Sequence, residues 1–274
     1  MNYIFGDQKK GSYASVSDPN SADLTWETVS TWNVGLDLGF LNNRLNLTAD
    51  AYVRDTKGMQ TSGKKLPGAY GANEPKQNAA NLRTKGWELM LTWNDAFKLA
   101  NKPFRYNLSV GLADNTSEIT KFDNPSKILS DYYVGQKLGD IWGYVVDGLF
   151  RTDEEAANYN VDQTAVNFVI NTAQVNPGLH AGDMKFVDLD GDHTISSGSN
   201  TADDPGDRKI IGNSLPRYTY SIQGGFDWYG FDFSIYLQGV GHQDWYPGTN
   251  SVFFWGPYAR PYSSFIPRDF LSQV

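Results

Sequence analysis

From Trp32 to Phe40 the even positions Trp32, Val34, Leu36, Leu38 and Phe40 are apolar, while Thr31, Asn33, Gly35, Asp37 and Gly39 between them are polar or small. A strand sends successive side chains to opposite sides, so this spacing predicts a ribbon with one greasy face and one wet face. The pattern recurs. Leu45, Leu47, Ala49, Ala51 and Val53 alternate with Arg44, Asn46, Thr48, Asp50 and Arg54, interrupted on the polar side by Tyr52. Trp87 to Trp93, Phe104 to Leu112, Tyr218 to Trp228 and Phe231 to Leu237 repeat it. The expected strands lie near 31–40, 43–55, 85–94, 103–114, 216–228 and 231–240. Each is close to the roughly 9–11 residues that a tilted strand needs to cross a bilayer. Aromatic residues sit toward the ends of the apolar rows, as interfacial girdles require.

The connections have a rhythm of their own. Leu41 to Asn43 joins the first pair, Asp95 to Lys102 the second, and Tyr229-Gly230 the third, where a hairpin turn is natural. About 25 residues follow Arg54, about 100 follow Ala113 (the long loop 115–215), and more than 30 follow Gly239. Short turns at one end and long loops at the other are the layout of an outer-membrane barrel. The fold class expected is therefore all-β, an antiparallel transmembrane β-barrel segment with long extracellular loops. A soluble, secreted all-β carbohydrate-binding or adhesion module is the alternative. The two differ in what the apolar faces touch: lipid, or a second sheet.

Composition narrows this further. Charged residues make up 20% and mean hydropathy is −0.48, and no apolar stretch approaches the roughly 20 residues of a membrane-spanning helix. A net charge of −8 and a pI of 4.8 argue against nucleic acid as a partner. Zero Cys excludes a disulfide scaffold and Cys-ligated metal. Met1-Asn2-Tyr3 does not open a secretory signal. Six strands are fewer than the roughly eight of the smallest closed membrane barrels, so residues 1–274 read as one partial barrel domain, an internal to near-C-terminal slice.

Several stretches, in order, resemble the C-terminal half of the SusC/RagA family of TonB-dependent outer-membrane transporters. Trp26-Glu27 with Asn33-Val34-Gly35-Leu36-Asp37 resembles its "W-E … N-x-G-h-D" strand entry. Asn43-Arg44-Leu45 and Tyr52-Val53-Arg54-Asp55-Thr56-Lys57 resemble its "N-R-h … Y-x-R-x-T-K" hairpin. Asn81 with Lys85-Gly86-Trp87-Glu88-Leu89 resembles the next strand, and Gly139, Gly143-Tyr144 and Gly148-Leu149-Phe150 its "G-x-x-x-G-Y … G-L-F" loop. Gly182-Asp183-Met184-Lys185, Asp207-Arg208 and Gly212 to Arg217 resemble its "G-D-h-K … D-R … G-x-x-x-P-R" stretch. The resemblance covers roughly residues 20–246. It implies part of a larger barrel of about 22 strands, in the outer membrane, serving energised uptake of oligosaccharides or peptides. The implied partners are a SusD-like surface lipoprotein as lid, outer-membrane lipid, and TonB through an N-terminal region that lies outside this chain.

The sharpest local chemistry is Asp188-Leu189-Asp190-Gly191-Asp192-His193-Thr194-Ile195. Carboxylates at the first, third and fifth positions resemble the start of a calcium loop, with the Thr194 carbonyl as a further oxygen. His193 stands where such loops carry a turn glycine, and Ser199 where they carry a bidentate Glu. Asp203, Asp204 and Asp207 are candidates to replace that Glu, and Asp207 best matches the family's "D-R". The metal set expected is Asp188, Asp190, Asp192, Thr194 and Asp207, holding Ca2+; the bland reading is a solvated acidic turn closed by its own Asx bonds.

Two aromatic groups invite ligand or lid contact: Tyr132, Tyr133, Trp142 and Tyr144 in the long loop, and a cluster including Trp245 and Trp255 after the sixth strand. Packing between loops is the competing reading of both. Enzymatic signals are poor. The three histidines, His180, His193 and His242, have no metal-ligand spacing, no G-x-S-x-G elbow is present, and Gly239-Val240-Gly241 lacks the rest of a dinucleotide site. Asp153-Glu154-Glu155-Ala156-Ala157 predicts a short loop helix with its acids at the N-terminus.

Overall fold

The computed structural model describes residues 4–5, 9–10, 24–62, 74–166 and 179–246. In chain order the strands are β1 (Ile4–Phe5), β2 (Lys9–Lys10), β3 (Thr28–Phe40), β4 (Leu45–Ser62), β5 (Lys76–Leu99), β6 (Lys102–Lys121), β7 (Asp140–Tyr144), β8 (Val146–Leu149), β9 (Met184–Phe186), β10 (Arg208–Asn213), β11 (Arg217–Trp228) and β12 (Phe231–His242). One short helix, α1 (Asp153–Ala157), follows β8. β3, β4, β5, β6, β11 and β12 form one antiparallel sheet in that spatial order, so β6 and β11 are neighbours although the long loop separates them in sequence.

The register carries the alternation across the whole sheet. Leu38, Leu47, Leu91, Val110, Ile222 and Leu237 lie in one transverse row, and Phe40, Leu45, Trp93, Leu108, Gly224 and Ile235 in the next. On the opposite face, Asp37, Thr48, Met90, Gly111, Ser221 and Gln238 share a row, beside Gly35, Asp50, Glu88, Ala113 and Thr219. Among the described residues no layer covers the apolar face: Leu91 is 44% and Val110 39% exposed. A soluble sandwich would bury these rows against a second sheet about 10 Å away, and an apolar patch of this extent marks a contact surface. The buried residues lie elsewhere. Phe150, Ala156, Val161 and Ile195 form the small core of the long loop, and Ala80 and Ile119 are buried toward the loop-bearing ends of β5 and β6.

The strands are longer than the alternation implies. The connection expected from Asp95 to Lys102 is a two-residue turn, because β5 runs on to Leu99 and β6 starts at Lys102. Ala100 (φ 49°) and Asn101 (φ 62°) make that turn, and Tyr229 (φ 51°) and Gly230 (φ 82°) make the one between β11 and β12. Both residues at positive φ match the twist of the flanking strands. At the other end β4 and β5 continue past the apolar rows, where the pairs become Asp55 with Arg83 and Arg83 with Glu118. Polar residues on both faces erase the period-two contrast while the ladder continues.

The tyrosine that interrupts the polar row of β4 has a structural reason. Tyr52 lies directly opposite Gly86, and its ring fills the space where a β-carbon on Gly86 would stand, 2.5 Å from the phenol oxygen.

Candidate functional site

The long loop stands on the far end of β6. Leu138 N–H donates to the Ser117 carbonyl (2.8 Å), Ile119 N–H to Gln136 (2.9 Å) and Gly135 N–H back to Ile119 (2.9 Å). The loop thereby continues the sheet where β11 has ended. β7 pairs with β10 and β8 with β9, and α1 forms where expected, with the Thr152 hydroxyl accepting from Glu155 N–H (3.1 Å). Asn213 ties the loop together. Its amide donates to the Leu138 carbonyl (2.9 Å) and to Asp140 Oδ1 (3.0 Å), and its backbone N–H donates to Asp244 Oδ2 (2.7 Å) beyond the end of β12. Sequence reasoning saw Asn213 only as part of a resembling stretch. Its partners lie 31 to 75 residues away, which no local pattern reports.

Within the loop, Asp188, Asp190 and Asp207 each bring a carboxylate oxygen within 4.8 Å of the others. Asp188 Oδ1 accepts from Gly191 N–H (2.6 Å) and Oδ2 from His193 N–H (2.9 Å). Asp190 accepts from Asp192 N–H (3.2 Å), and Asp192 from Thr194 N–H (2.7 Å). Asp207 is fully buried and accepts from Leu189 N–H and Ser196 N–H, both at 2.7 Å, so it stitches the two halves of the loop together. Asp192 is not among the three converging carboxylates, and the stretch holding Thr194 is bridged to Asp162 through the His193 carbonyl (2.8 Å) and the Ile195 N–H (2.7 Å). His193 adopts φ 65°, the left-handed conformation that glycine would take at this position.

The electrostatics follow this geometry. Burial works against the charged form of Asp188, but the N–H groups of Gly191 and His193 hold its carboxyl below the ordinary carboxylate value. The N–H of Asp192 lowers Asp190, yet burial and the charges of Asp192, Asp207 and Asp188 outweigh it and push Asp190 up. Crowded acids that repel one another are what a divalent cation relieves.

The aromatic candidates separate by environment. Tyr133 is buried and Tyr144 packs edge-on against Phe186 at 5.8 Å, so both belong to the loop's packing. Trp142 is half-buried in β7. Tyr132 is exposed against Phe122 (5.8 Å), and Trp245 is exposed just past the tie at Asp244. Trp255 lies outside the described residues.

The polar face of the sheet holds a shallow cavity of about 580 Å³ over Gly111, Ala113 and Ser221, with Asp50 and Glu88 on one side and Gln238 on the other. Register places Asp50 directly opposite Glu88, a juxtaposition invisible until the hairpins are counted out. On the apolar face, toward the short turns, Phe97, Phe104, Phe226 and Phe233 form a continuous row with centroids 5.0 to 5.4 Å apart, and Trp93 Nε1 donates to the Tyr106 hydroxyl (3.1 Å). That is the build of an interfacial girdle.

Residues 1–265 match the family model described as TonB dependent receptor-like, beta-barrel. The chain belongs to this family. It is 31% identical over 245 residues to TonB-dependent receptor SusC of Bacteroides thetaiotaomicron, covering 86% of this chain and 21% of that protein. It is 28% identical over 238 residues to TonB-dependent receptor P39 of Formosa agariphila, covering 78% of this chain and 22% of that one. Its backbone superposes on the RagAB peptide importer in the open-open state with a TM-score of 0.58 at 19% identity, over 88% of this chain and 23% of that one. The chain thus spans about a fifth of the length of the curated relatives it matches.

Membership in the family resolves the two faces. The six-stranded sheet is barrel wall in the outer membrane, its apolar rows against lipid and its polar rows toward the lumen. The soluble module is thereby set aside. Members of the family are TonB-dependent receptors and transporters rather than enzymes. Among the described residues the arc is not closed, and β3 and β12 are its edges.

Proposed function

We propose that this chain forms part of the barrel wall of a TonB-dependent outer-membrane uptake system for oligosaccharides or peptides, capped by a SusD-like surface lipoprotein and energised by TonB. The observation that carries the reading is the bare apolar face backed by a polar face, in a chain of the TonB-dependent receptor family. The lumenal wall offers hydroxyls, amides and carboxylates in ordered rows, with Thr84–Ser117 (2.8 Å) and Thr92–Ser109 (3.1 Å) bonded across strands. Such a wall hydrates a polar solute along its length. The exposed Tyr132 and Trp245 are the loop aromatics best placed to stack on cargo or meet the lid. Deleting the gene, or depleting TonB, should abolish growth on the cognate oligomer while leaving growth on its monomer intact. Growth on the oligomer without the gene would contradict the proposal.

A second reading concerns the acidic loop, because three carboxylates converge there. Calcium takes six to eight oxygens, so Asp188, Asp190 and Asp207 would supply part of a shell that water and carbonyl oxygens complete. Asp192 and the Thr194 carbonyl are the remaining members of the expected set. The ion would order the loop from Gly182 to Gly212. Chelator should raise proteolysis between Ser196 and Gly206, and calcium but not magnesium should restore protection, since magnesium demands a tighter octahedron. An Asp190→Ala variant with the same cleavage and the same calcium response as the parent would leave only an acidic turn.

A further inference from the structure

The outward, lipid-facing side of the sheet changes character at one level. Leu36, Ala49, Leu89 and Leu112 form an apolar row, and in the next row toward the loops Trp87 stands opposite Asp114. The next outward position of β5 is Lys85, between Val53 and Thr116, and the one after is Arg83, between Asp55 and Glu118. Lys57 follows Asp55 on the same side of β4. The long loops mark this end as the cell-surface side, so the charges begin where the wall leaves the hydrocarbon of the outer leaflet.

These charges are held in different ways. Asp114 is buried and accepts from Arg217 Nε (2.6 Å) and Nη2 (2.5 Å) and from the Tyr218 N–H (3.3 Å). By alternation with Thr219 and Ser221, Arg217 belongs to the lumenal side. Tyr218, at φ 54°, drops out of the ladder between Arg217 and Thr219, and this irregular backbone brings the guanidinium round to Asp114 on the outward face. Arg83 grips Asp55 in the same way, through Nε (2.7 Å) and Nη2 (3.0 Å). A guanidinium has five N–H donors, so both arginines are fixed in place with donors to spare. Lys57 and Lys85 are exposed, and among the described residues neither is bonded to an acid. Glu118, facing Arg83, is the remaining acid of this level. The rim is positive on balance, in a chain whose net charge is −8.

We infer that Lys57, Lys85 and the spare donors of Arg83 and Arg217 form a seat for the phosphate of lipid A, the phosphorylated saccharolipid of the outer leaflet, whose acyl chains lie on the apolar rows below. Lys85 stands two residues, about 7 Å of strand, beyond Trp87, at the level a headgroup occupies when its chains cover Leu89 and Leu112. Arginine and lysine bind phosphate oxygens through short, charge-assisted hydrogen bonds. A lysine reaching past the hydrocarbon into water would account for Lys85 alone. It does not account for Arg217, which is carried to the outward face through a left-handed residue and anchored there by a buried carboxylate. Ordinary phospholipid is the rival occupant. Its leaflet lies at the short-turn end of the wall, where Lys102 covers the Tyr229 ring at 5.1 Å. The inference concerns the outer surface of the wall and does not depend on what crosses the lumen.

The test uses the full-length protein, purified in detergent, stripped of lipid and checked for barrel folding by heat-modifiable gel migration. It is titrated with phosphorylated lipid A, with the same lipid A freed of phosphate, and with phosphatidylglycerol, and bound lipid is counted by native mass spectrometry. Phosphorylated lipid A should bind more tightly than either of the others. The variant Lys57→Gln/Lys85→Gln, which breaks no ion pair among the described residues, should weaken that binding by about fivefold for each lysine removed. Lys102→Gln, the same loss of charge at the opposite rim, should leave it unchanged. Equal binding of the phosphate-free lipid or of phosphatidylglycerol would overturn the inference. So would undiminished binding in the double variant, or an equal loss in Lys102→Gln.

Discussion

Single residues carry two of the clearest consequences. His193 holds a left-handed backbone that costs a non-glycine residue roughly 1 kcal/mol or more. His193→Gly should therefore stabilise the loop by up to about 1 kcal/mol, offset in part by the freer unfolded chain; protease resistance of the loop in the folded barrel measures it. Gly86 presents the opposite case, since any side chain there meets the ring of Tyr52. Gly86→Val should destabilise the barrel by about 1–3 kcal/mol, and the same change with Tyr52→Ala should recover most of the loss. The acid pair has a pH signature. Asp190 is raised in the folded loop, so the native state takes up its proton first as pH falls below neutral, and loop stability rises over that interval. Asp188 is depressed, so its contribution is present above its unfolded pKa and is lost only at lower pH, as the folded value is passed. Without calcium, loop protection in hydrogen exchange should pass through a maximum in mildly acidic buffer; a monotonic fall from neutral pH would contradict the two opposed shifts.

At the scale of elements, the face assignment makes a sharp distinction between neighbours. Leu108 lies in a lipid-facing row and Asn107 beside it faces the lumen. Leu108→Arg should cost about 2–4 kcal/mol near the midplane, and Asn107→Arg far less, in a folding titration into lipid. All six strands of the arc were legible from the period-two pattern, and so was α1 from its run of acids. The strand ends were not. Beyond Trp87 the outward residues become Lys85 and Arg83, so apolar and polar positions no longer alternate although hydrogen bonding continues. The loop was legible only in fragments. The Asx spacing of Asp188 and Asp190 was visible in sequence, and Asp207 came from a family resemblance. That Asp207 is fully buried between Leu189 and Ser196, and that Asn213 binds Asp140 and Asp244, depends on long-range closure that leaves no periodic trace.

For the whole molecule the central claim is that these six strands are a curved wall with lipid on one side and the lumen on the other. Among the described residues the apolar rows have no protein layer over them, the aromatic girdle sits toward the short turns, and the acidic loop stands at the opposite end. Family membership gives this geometry its setting in the outer membrane. The most direct test is site-directed spin labelling, to which this chain contributes no cysteine of its own. Spin labels placed singly at Leu89, Met90, Leu91 and Thr92 of the full-length protein in bilayers should alternate in collision with dissolved oxygen and with a water-soluble nickel chelate. Labels at positions 89 and 91 should be reached by oxygen and shielded from nickel, with the reverse or mutual shielding at 90 and 92. Four labels with the same accessibility, or nickel reaching 89 and 91 as freely as 90 and 92, would contradict the assignment of the two faces.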